Sequence, residues 1–544
     1  YASLFTDRAI SYRREKGFDH MQVALSIGVQ RMVRSDKAGA GVMFSLDTDT
    51  GFRNVVVINA AWGLGENVVQ GTVTPDEYVV FKPLLDEAER KPILDKRVGD
   101  KERKLVYARG GNRTTRNENT TQKEKNAFVL TDDEILTLAR WAKVIEAHYD
   151  KPMDMEWAKD GVTGEVCIVQ ARPETVHSQK GGDVFKHYTL QERGEKILQG
   201  LAIGEAVAAG QAQVIKSADD IERFRAGAIL VTGMTDPDWV PIMKQAAGII
   251  TDHGGRTSHA AIVSRELGIP AVVGTGDATE TLEDGQDITV SCAESARGFV
   301  YQGKLRFDVT EERLDHIPDV RTRLMMNLSS PEAAFRWWRL PVTGIGLARM
   351  EFIINNIIKI HPLALVHPDR VKDREAARRI RQLTRRYDDP KAYFVDHLAR
   401  GLARLTAVQY PNPVIVRLSD FKTNEYANLI GGRSFEGFAL ECRASRKARE
   451  VVGMKNIVVM VPFCRTLAEA DRVLAVLKEN GLERGRDGLQ VYVMAEIPSN
   501  ILMAEAFADK FDGFSIGTND LTQLVLGIDR DSDRLAPLFD ERNP

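Results

Sequence analysis

The 544-residue sequence predicts a multidomain chain of mixed α/β and α+β class, on three observations. Single hydrophobic cores rarely grow past about 250–300 residues, so a chain this long divides into about three or four domains. The pattern changes twice, around polar stretches that read as linkers: one at His177–Gly182 and one from Thr310 to Arg323. Beyond residue 324 apolar strands alternate with long helical patterns, the signature of a parallel sheet or barrel.

Residues 1–180 mix helix and strand and end in the apolar run Val166-Cys167-Ile168-Val169-Gln170. Residues 188–302 form a block of short β segments, among them Ala228–Val231 and Gly248–Thr251. Residues 324–544 supply six strand patterns: Leu324–Leu328, Gly344–Phe352, Val414–Leu418, Ile457–Pro462, Val491–Ile497 and Gly513–Gly517. Six is an incomplete count for an eight-stranded barrel.

Composition excludes several classes. With 77 acidic against 74 basic residues, the net charge of −3 gives no reason to expect a nucleic acid or an anionic membrane as partner. There is no run of about 18 apolar residues and no signal-peptide pattern, so the chain reads as cytoplasmic. The four cysteines (Cys167, Cys292, Cys442 and Cys464) are far apart, which argues against a disulfide framework or a zinc knuckle.

The sharpest chemical signal is Gly254-Gly255-Arg256-Thr257-Ser258-His259-Ala260-Ala261-Ile262. The Gly248–Thr251 strand runs into paired glycines that permit a tight turn, and Thr257 or Ser258 can cap the helix that follows. His259 then falls in the first helical turn, where unsatisfied N–H groups and the positive end of the dipole disfavour imidazolium and favour an incoming phosphate. Arg256 could neutralise further phosphate charge. A histidine near a helix start is by itself more often a structural hydrogen-bonder. The surrounding string decides otherwise. With Glu266-Leu267-Gly268-Ile269-Pro270-Ala271-Val272-Val273-Gly274 it closely resembles the swivelling phosphohistidine domain of the phosphoenolpyruvate-utilising enzymes. The resemblance makes His259 the phosphorylated residue. Synthases of this family usually carry Cys where this chain has Ser258; the dikinases and enzyme I of the sugar phosphotransferase system share the Thr-Ser-His form.

Residues 324–544 resemble the family's phosphoenolpyruvate-binding domain, a TIM-type (β/α)8 barrel that this chain carries in part. Such barrels place reactive groups at the C-terminal ends of strands. Arg349 ends Gly344–Arg349 and Arg417 ends Val414–Arg417, and guanidinium forks suit the phosphate and carboxylate of phosphoenolpyruvate. Glu496 follows Val491–Ala495, and Asp520 follows Gly513–Asn519. Two carboxylates at neighbouring strand ends make a hard-cation site. By resemblance, Glu496 and Asp520 hold Mg²⁺, while Gly517, Thr518 and Asn519 contact substrate.

Residues 1–180 resemble the C-terminal part of the family's ATP-grasp-like domain, through Trp62-Gly63-Leu64-Gly65-Glu66, Met153-Asp154-Met155-Glu156-Trp157 and Gln170-Ala171-Arg172-Pro173-Glu174. Glu156 and Gln170 lie on strand patterns joined by a turn, so both can face one site as ligands of ATP-bound magnesium. Arg172 shares the strand face of Gln170 and could bridge the phosphates.

The resemblance implies ATP and pyruvate as substrates and Mg²⁺ as cofactor. The reaction is ATP + pyruvate + water giving AMP + phosphoenolpyruvate + phosphate, with a homo-oligomer by family likeness alone. The alternatives are a pyruvate phosphate dikinase and a catalytically dead scaffold. The context of Arg256, Met234-Thr235-Asp236-Pro237-Asp238-Trp239 and Glu266–Gly274 favour the synthase. Tyr1 and Pro544 do not read as natural termini. The family's basic ATP segment, its NPxLGxRG-like loop and its proton-donating cysteine have no counterpart here, so the printed chain is expected to be a fragment without turnover of its own.

Overall fold

The computed structural model describes residues 2–108, 114–174, 184–192, 194–235, 239–255, 258–294, 297–313, 320–419 and 438–527. The expected first linker and the Asn428–Gly437 region lie outside these residues, as does Arg256.

In the first region β1 (Gly39–Phe44), β2 (Val55–Trp62), β3 (Asp76–Phe81) and β4 (Ile93–Arg97) precede a separate hairpin of β5 (Arg103–Tyr107) and β6 (Thr115–Asn119). With β7 (Met153–Lys159) and β8 (Val166–Pro173) the first four make an antiparallel sheet ordered β4-β3-β2-β1-β7-β8. Side chains alternate across a strand, so each apolar strand here supplies two cores. Val56, Ile58 and Ala60 of β2 and Tyr78 and Val80 of β3 pack in one cluster with Ile135, Leu138 and Ala142 of helix α1 (Asp132–Tyr149). Thr131 caps that helix in a reciprocal box with Glu134. The residues in between, Val55, Val57, Val79 and Phe81, belong to the core of the third region.

The middle region is entered by β9 (Val184–Leu190). A closed barrel follows, of β10 (Lys196–Ile203), β11 (Val207–Val214), β12 (Ile229–Thr232), β13 (Gly248–Thr251), β14 (Ala271–Val273), β15 (Asp287–Ser291) and β16 (Arg297–Gln302). Helix α2 (His259–Leu267) follows β13. The exit strand, β17 (Phe307–Arg313), pairs antiparallel with β9 from Phe307↔Leu190 to Arg313↔Val184. The expected second linker is therefore corrected at its start, because Thr310–Arg313 is strand. Thr310–Arg313 carries no apolar alternation, Thr310 and Glu311 are exposed, and backbone pairing with β9 forms it.

The third region holds β18 (Met326–Asn327), β19 (Ile345–Arg349), β20 (Val414–Arg417), β21 (Ile457–Val461), β22 (Val491–Ala495) and β23 (Gly513–Ile516), parallel and in consecutive order as a half-barrel sheet. All six expected strands are present. The Gly344–Phe352 pattern ends as a strand at Arg349, and Met350–Ile353 turns into helix. Helices α3 (Pro390–Ala407) and α4 (Phe438–Lys447) pack on this sheet, and α5 (Thr518–Leu526) follows β23. Phe52 stacks on Phe335 at 4.7 Å, and Phe81 meets Tyr410 edge-on at 5.4 Å, so the first and third regions share one core. The four cysteines are free. Among the described residues no helix is long and apolar enough to cross a membrane.

Candidate functional site

Ser258 is the N-cap of α2, its hydroxyl accepting from the Ala261 N–H at 3.4 Å, and His259 is the first helical residue. Of the two expected caps it is thus the serine that serves. His259 Nδ1 and the Thr235 hydroxyl share a hydrogen bond of 3.0 Å. Thr235 is buried while the imidazole is half-buried, so the contact fixes the ring and leaves part of it accessible.

Glycines press this turn against the first region. A Cβ on Gly71 would lie 2.5 Å from Ser258 Cβ, and one on Gly254, at φ +116°, would lie 2.8 Å from Ser258 Oγ. Neither position tolerates a side chain without a shift. Further along α2, Arg265 is buried and reaches across to Asp49, with Nη2–Oδ1 at 2.5 Å. Burial pulls the Arg265 guanidinium down to about 10, against the pull of nearby Asp47, Glu77 and Glu174.

On the first region's sheet, Glu156 is the direct cross-strand partner of Gln170, and Asp154 that of Arg172. Alternation puts all four on one face. Arg172 binds the Asp154 carboxylate at 2.7 Å. Burial raises both acids above the usual carboxylate range; Asp154 adds to the rise at Glu156, and Arg172 opposes it in each. A face with two carboxylates held in this way favours a bound cation.

The remaining expected residues line the C-terminal edge of the half-barrel sheet. Arg349 and Arg417 are register partners at the ends of β19 and β20. The buried Arg417 donates to Glu351 at 2.7 Å. Glu496, directly after β22, is fully buried and accepts from the Phe463 N–H at 2.7 Å. Phe463 sits at φ +48°, a strained conformation for an aromatic residue and one that clusters at functional sites. A Cβ on Gly517 would lie 2.9 Å from Glu496 Cβ, so glycine is what lets the loop after β23 close over this carboxylate. Thr518 and Asn519 are exposed, and Asp520 is half-buried in the first turn of α5. β21 lies between β20 and β22, so Arg417 and Glu496 stand two strands apart on this edge. Among the described residues no group of three or more His, Cys, Asp or Glu side chains could hold a metal ion.

Sequence reasoning brought Glu156, Gln170 and Arg172 to one face, and Arg349, Arg417, Glu496 and Gly517 to one edge. It missed Thr235, Asp154, Glu351, Phe463 and the Asp49–Arg265 pair. Asp154 carried a signal, since it lies two residues before Glu156 and so shares its strand face. Glu351, two residues after Arg349, could also have been flagged. Thr235 and Asp49 are joined to their partners only by the tertiary fold.

Three family models match in order: "Pyruvate phosphate dikinase, AMP/ATP-binding domain" over residues 1–192, "PEP-utilising enzyme, mobile domain" over 224–295, and "PEP-utilising enzyme, PEP-binding domain" over 308–544. A phosphoenolpyruvate synthase of Synechocystis is 52% identical over 573 aligned residues, covering 100% of this chain and 70% of the relative. Those of Aquifex aeolicus and Escherichia coli are 49% and 50% identical, with 72% and 71% of the relative covered. The aligned spans exceed the chain's own length, so these relatives carry internal residues that it lacks. At about half identity over its whole length, with all three domain types in this order, the chain belongs to the phosphoenolpyruvate synthase family.

Proposed function

We propose that the protein makes phosphoenolpyruvate from pyruvate, ATP and water, releasing AMP and phosphate, through a phosphohistidine at His259. The observation that carries this reading is the imidazole at the start of α2 with its Nδ1 held by Thr235. The Nδ1 contact makes Nε2 the attacking nitrogen. Nε2 attacks the β-phosphorus of ATP and AMP leaves; water then takes the terminal phosphoryl group as phosphate. After pyruvate loses a methyl proton, the enolate oxygen takes the remaining phosphoryl group and the N–P bond breaks. The histidine thereby splits one difficult transfer into easier ones.

The domain assignment follows from this chemistry: 1–180 as an ATP-grasp-like nucleotide domain, 188–302 as a swivelling carrier and 324–544 as a TIM-type barrel binding pyruvate. The β9–β17 ribbon, where the middle region enters and leaves, supports a hinge there. Glu156, Gln170 and Arg172 would bind ATP with its metal. Arg349 and Arg417 would hold the phosphate and carboxylate, and Gly517, Thr518 and Asn519 would contact pyruvate. Glu496 and Asp520 fit Mg²⁺, the first already fixed by Phe463 and closed over by Gly517. Bound there, Mg²⁺ would supply polarisation of the pyruvate oxygens and stabilise the enolate.

The test is covalent labelling. Full-length protein incubated with β-labelled ATP is expected to carry acid-labile label on the peptide containing His259, and His259→Ala is expected to carry none. Label on another residue, or label persisting in the variant, would refute the assignment. The first family model bears the dikinase's description, which favours a second reading in which phosphate takes the place of water. Turnover that requires added phosphate would select it.

A further inference from the structure

A cavity of about 320 Å³ opens at the N-terminal edge of the half-barrel sheet, where Lys455 precedes β21 and Leu489 precedes β22. This is the edge opposite Arg417 and Glu496, and barrel chemistry belongs to the other one. The lining is strongly cationic: Arg90, Arg446, Arg449, Lys455 and Arg486 against only Glu450 and Asp487. The buried Arg449 forms a rigid floor, donating to the carbonyls of Lys455 and Ile457 at 2.6 Å each and of Asp487 at 2.9 Å. Glu450 is already neutralised by Arg446 at 2.7 Å. Gly481 shapes the wall, since a Cβ there would lie 2.8 Å from Arg446 Nε. Among the described residues neither the Lys455 ammonium nor the Arg486 guanidinium is paired with a carboxylate. Arg90 comes from the first region and donates to the Glu450 carbonyl, and the Lys91 N–H donates to the Val451 carbonyl at 2.9 Å. The cavity therefore spans the junction between the first region and the half-barrel.

We infer that this cavity is a binding site for a phosphate dianion, carried by a small phosphorylated metabolite or free in solution, that ties the first region to the half-barrel. The Arg486 guanidinium and the Lys455 ammonium, beside the guanidinium groups of Arg446 and Arg90 that Glu450 and Glu87 already engage, match the charge and tetrahedral oxygens of a phosphate. The volume accommodates a small ester as well as the bare ion. The site lies apart from the residues of the proposed reaction and does not depend on that reading.

Inorganic phosphate and glycerol 3-phosphate are the two probes, each titrated calorimetrically into the protein at low ionic strength. Binding in the low millimolar range or tighter is expected for at least one, weakened about tenfold or more by Lys455→Ala/Arg486→Ala, a loss of two charge-assisted contacts. Both residues are exposed, so the double variant is expected to melt with the wild-type protein. Arg349→Ala, on the opposite edge, is expected to leave the binding that depends on Lys455 and Arg486 in place, which separates this site from any phosphate binding at the proposed pyruvate site. The stronger probe identifies the source as ester or free ion. Equal affinity in wild type and double variant, loss of the binding that depends on Lys455 and Arg486 in Arg349→Ala, or no heat from either probe at about 10 mM would overturn the inference.

Discussion

The Thr235 hydroxyl is the smallest group on which the proposed chemistry turns. It has no neighbour in sequence to announce it, 24 residues from His259, and only the closing of the middle barrel brings the two within 3.0 Å. If it orients the imidazole, Thr235→Val is expected to slow labelling of His259 by about 10–100-fold, as misplacement of a reacting group does. The shape is nearly conserved, so folding is expected to survive. Thr235→Ser, which keeps the hydroxyl, is expected to recover most of the rate in rapid-quench labelling. A valine variant labelled at the wild-type rate would show that Thr235 is merely packed there. The legible part of this site was the local part: glycines, cap and histidine occupy one continuous string, and the helix begins where that string places it. Arg265 lies three residues beyond that string, yet its partner Asp49 is in another region, so the contact left no trace in local pattern.

At the scale of elements, the six parallel strands were readable because each is a short apolar run bounded by turn residues. The β9–β17 ribbon was not, because Phe307–Arg313 is charged and its order comes from backbone pairing. The loop after β23 shows how an element edge becomes a site. Gly517 follows the last strand residue, and its missing side chain is the space that Glu496 occupies. Gly517→Ala is expected to push the loop off Glu496 and to cut phosphoenolpyruvate formation by about 10-fold or more, on the same positional argument. Labelling of His259 from ATP is expected to continue, since that half-reaction belongs to the first region. The two half-reactions assayed side by side decide it. Loss of both in a folded variant would show that the edge and the histidine turn are not separable as proposed.

For the whole molecule the decisive feature is that the first and third regions fold around one core, while the carrier is attached through a ribbon. The apolar residues of β2 and β3 fall alternately into two cores, and which region covers the second is set only by the tertiary fold. The same junction carries buried charge. Asp95 meets Arg97 at 2.8 Å and Arg404 at 3.3 Å; burial pushes its carboxyl up, but the two guanidinium groups prevail and hold it below the usual range. His397, on α3 beside this group, packs against Tyr393 at 4.3 Å. Burial and the neighbouring Arg400 pull its imidazole down to about 4, against Asp396 and Asp95. The sign follows from linkage. Above an unfolded value of about 6.5 the ring is neutral in both states and costs nothing. As pH falls from there towards 4, the unfolded chain takes a proton that the folded one refuses, and stability is lost on the order of 2 kcal/mol across that window. His397→Gln cannot take that proton. The melting temperature of the wild-type protein is therefore expected to fall more steeply than that of His397→Gln between about pH 6.5 and 4, and in parallel with it above pH 7. Carboxylates away from His397 titrate alike in both proteins, so the difference between the two curves isolates the histidine and its coupling to Asp95 and Asp396. Curves that run parallel throughout would mean that the ring takes up its proton in the folded protein as readily as in water, and that burial beside Arg400 does not keep it neutral.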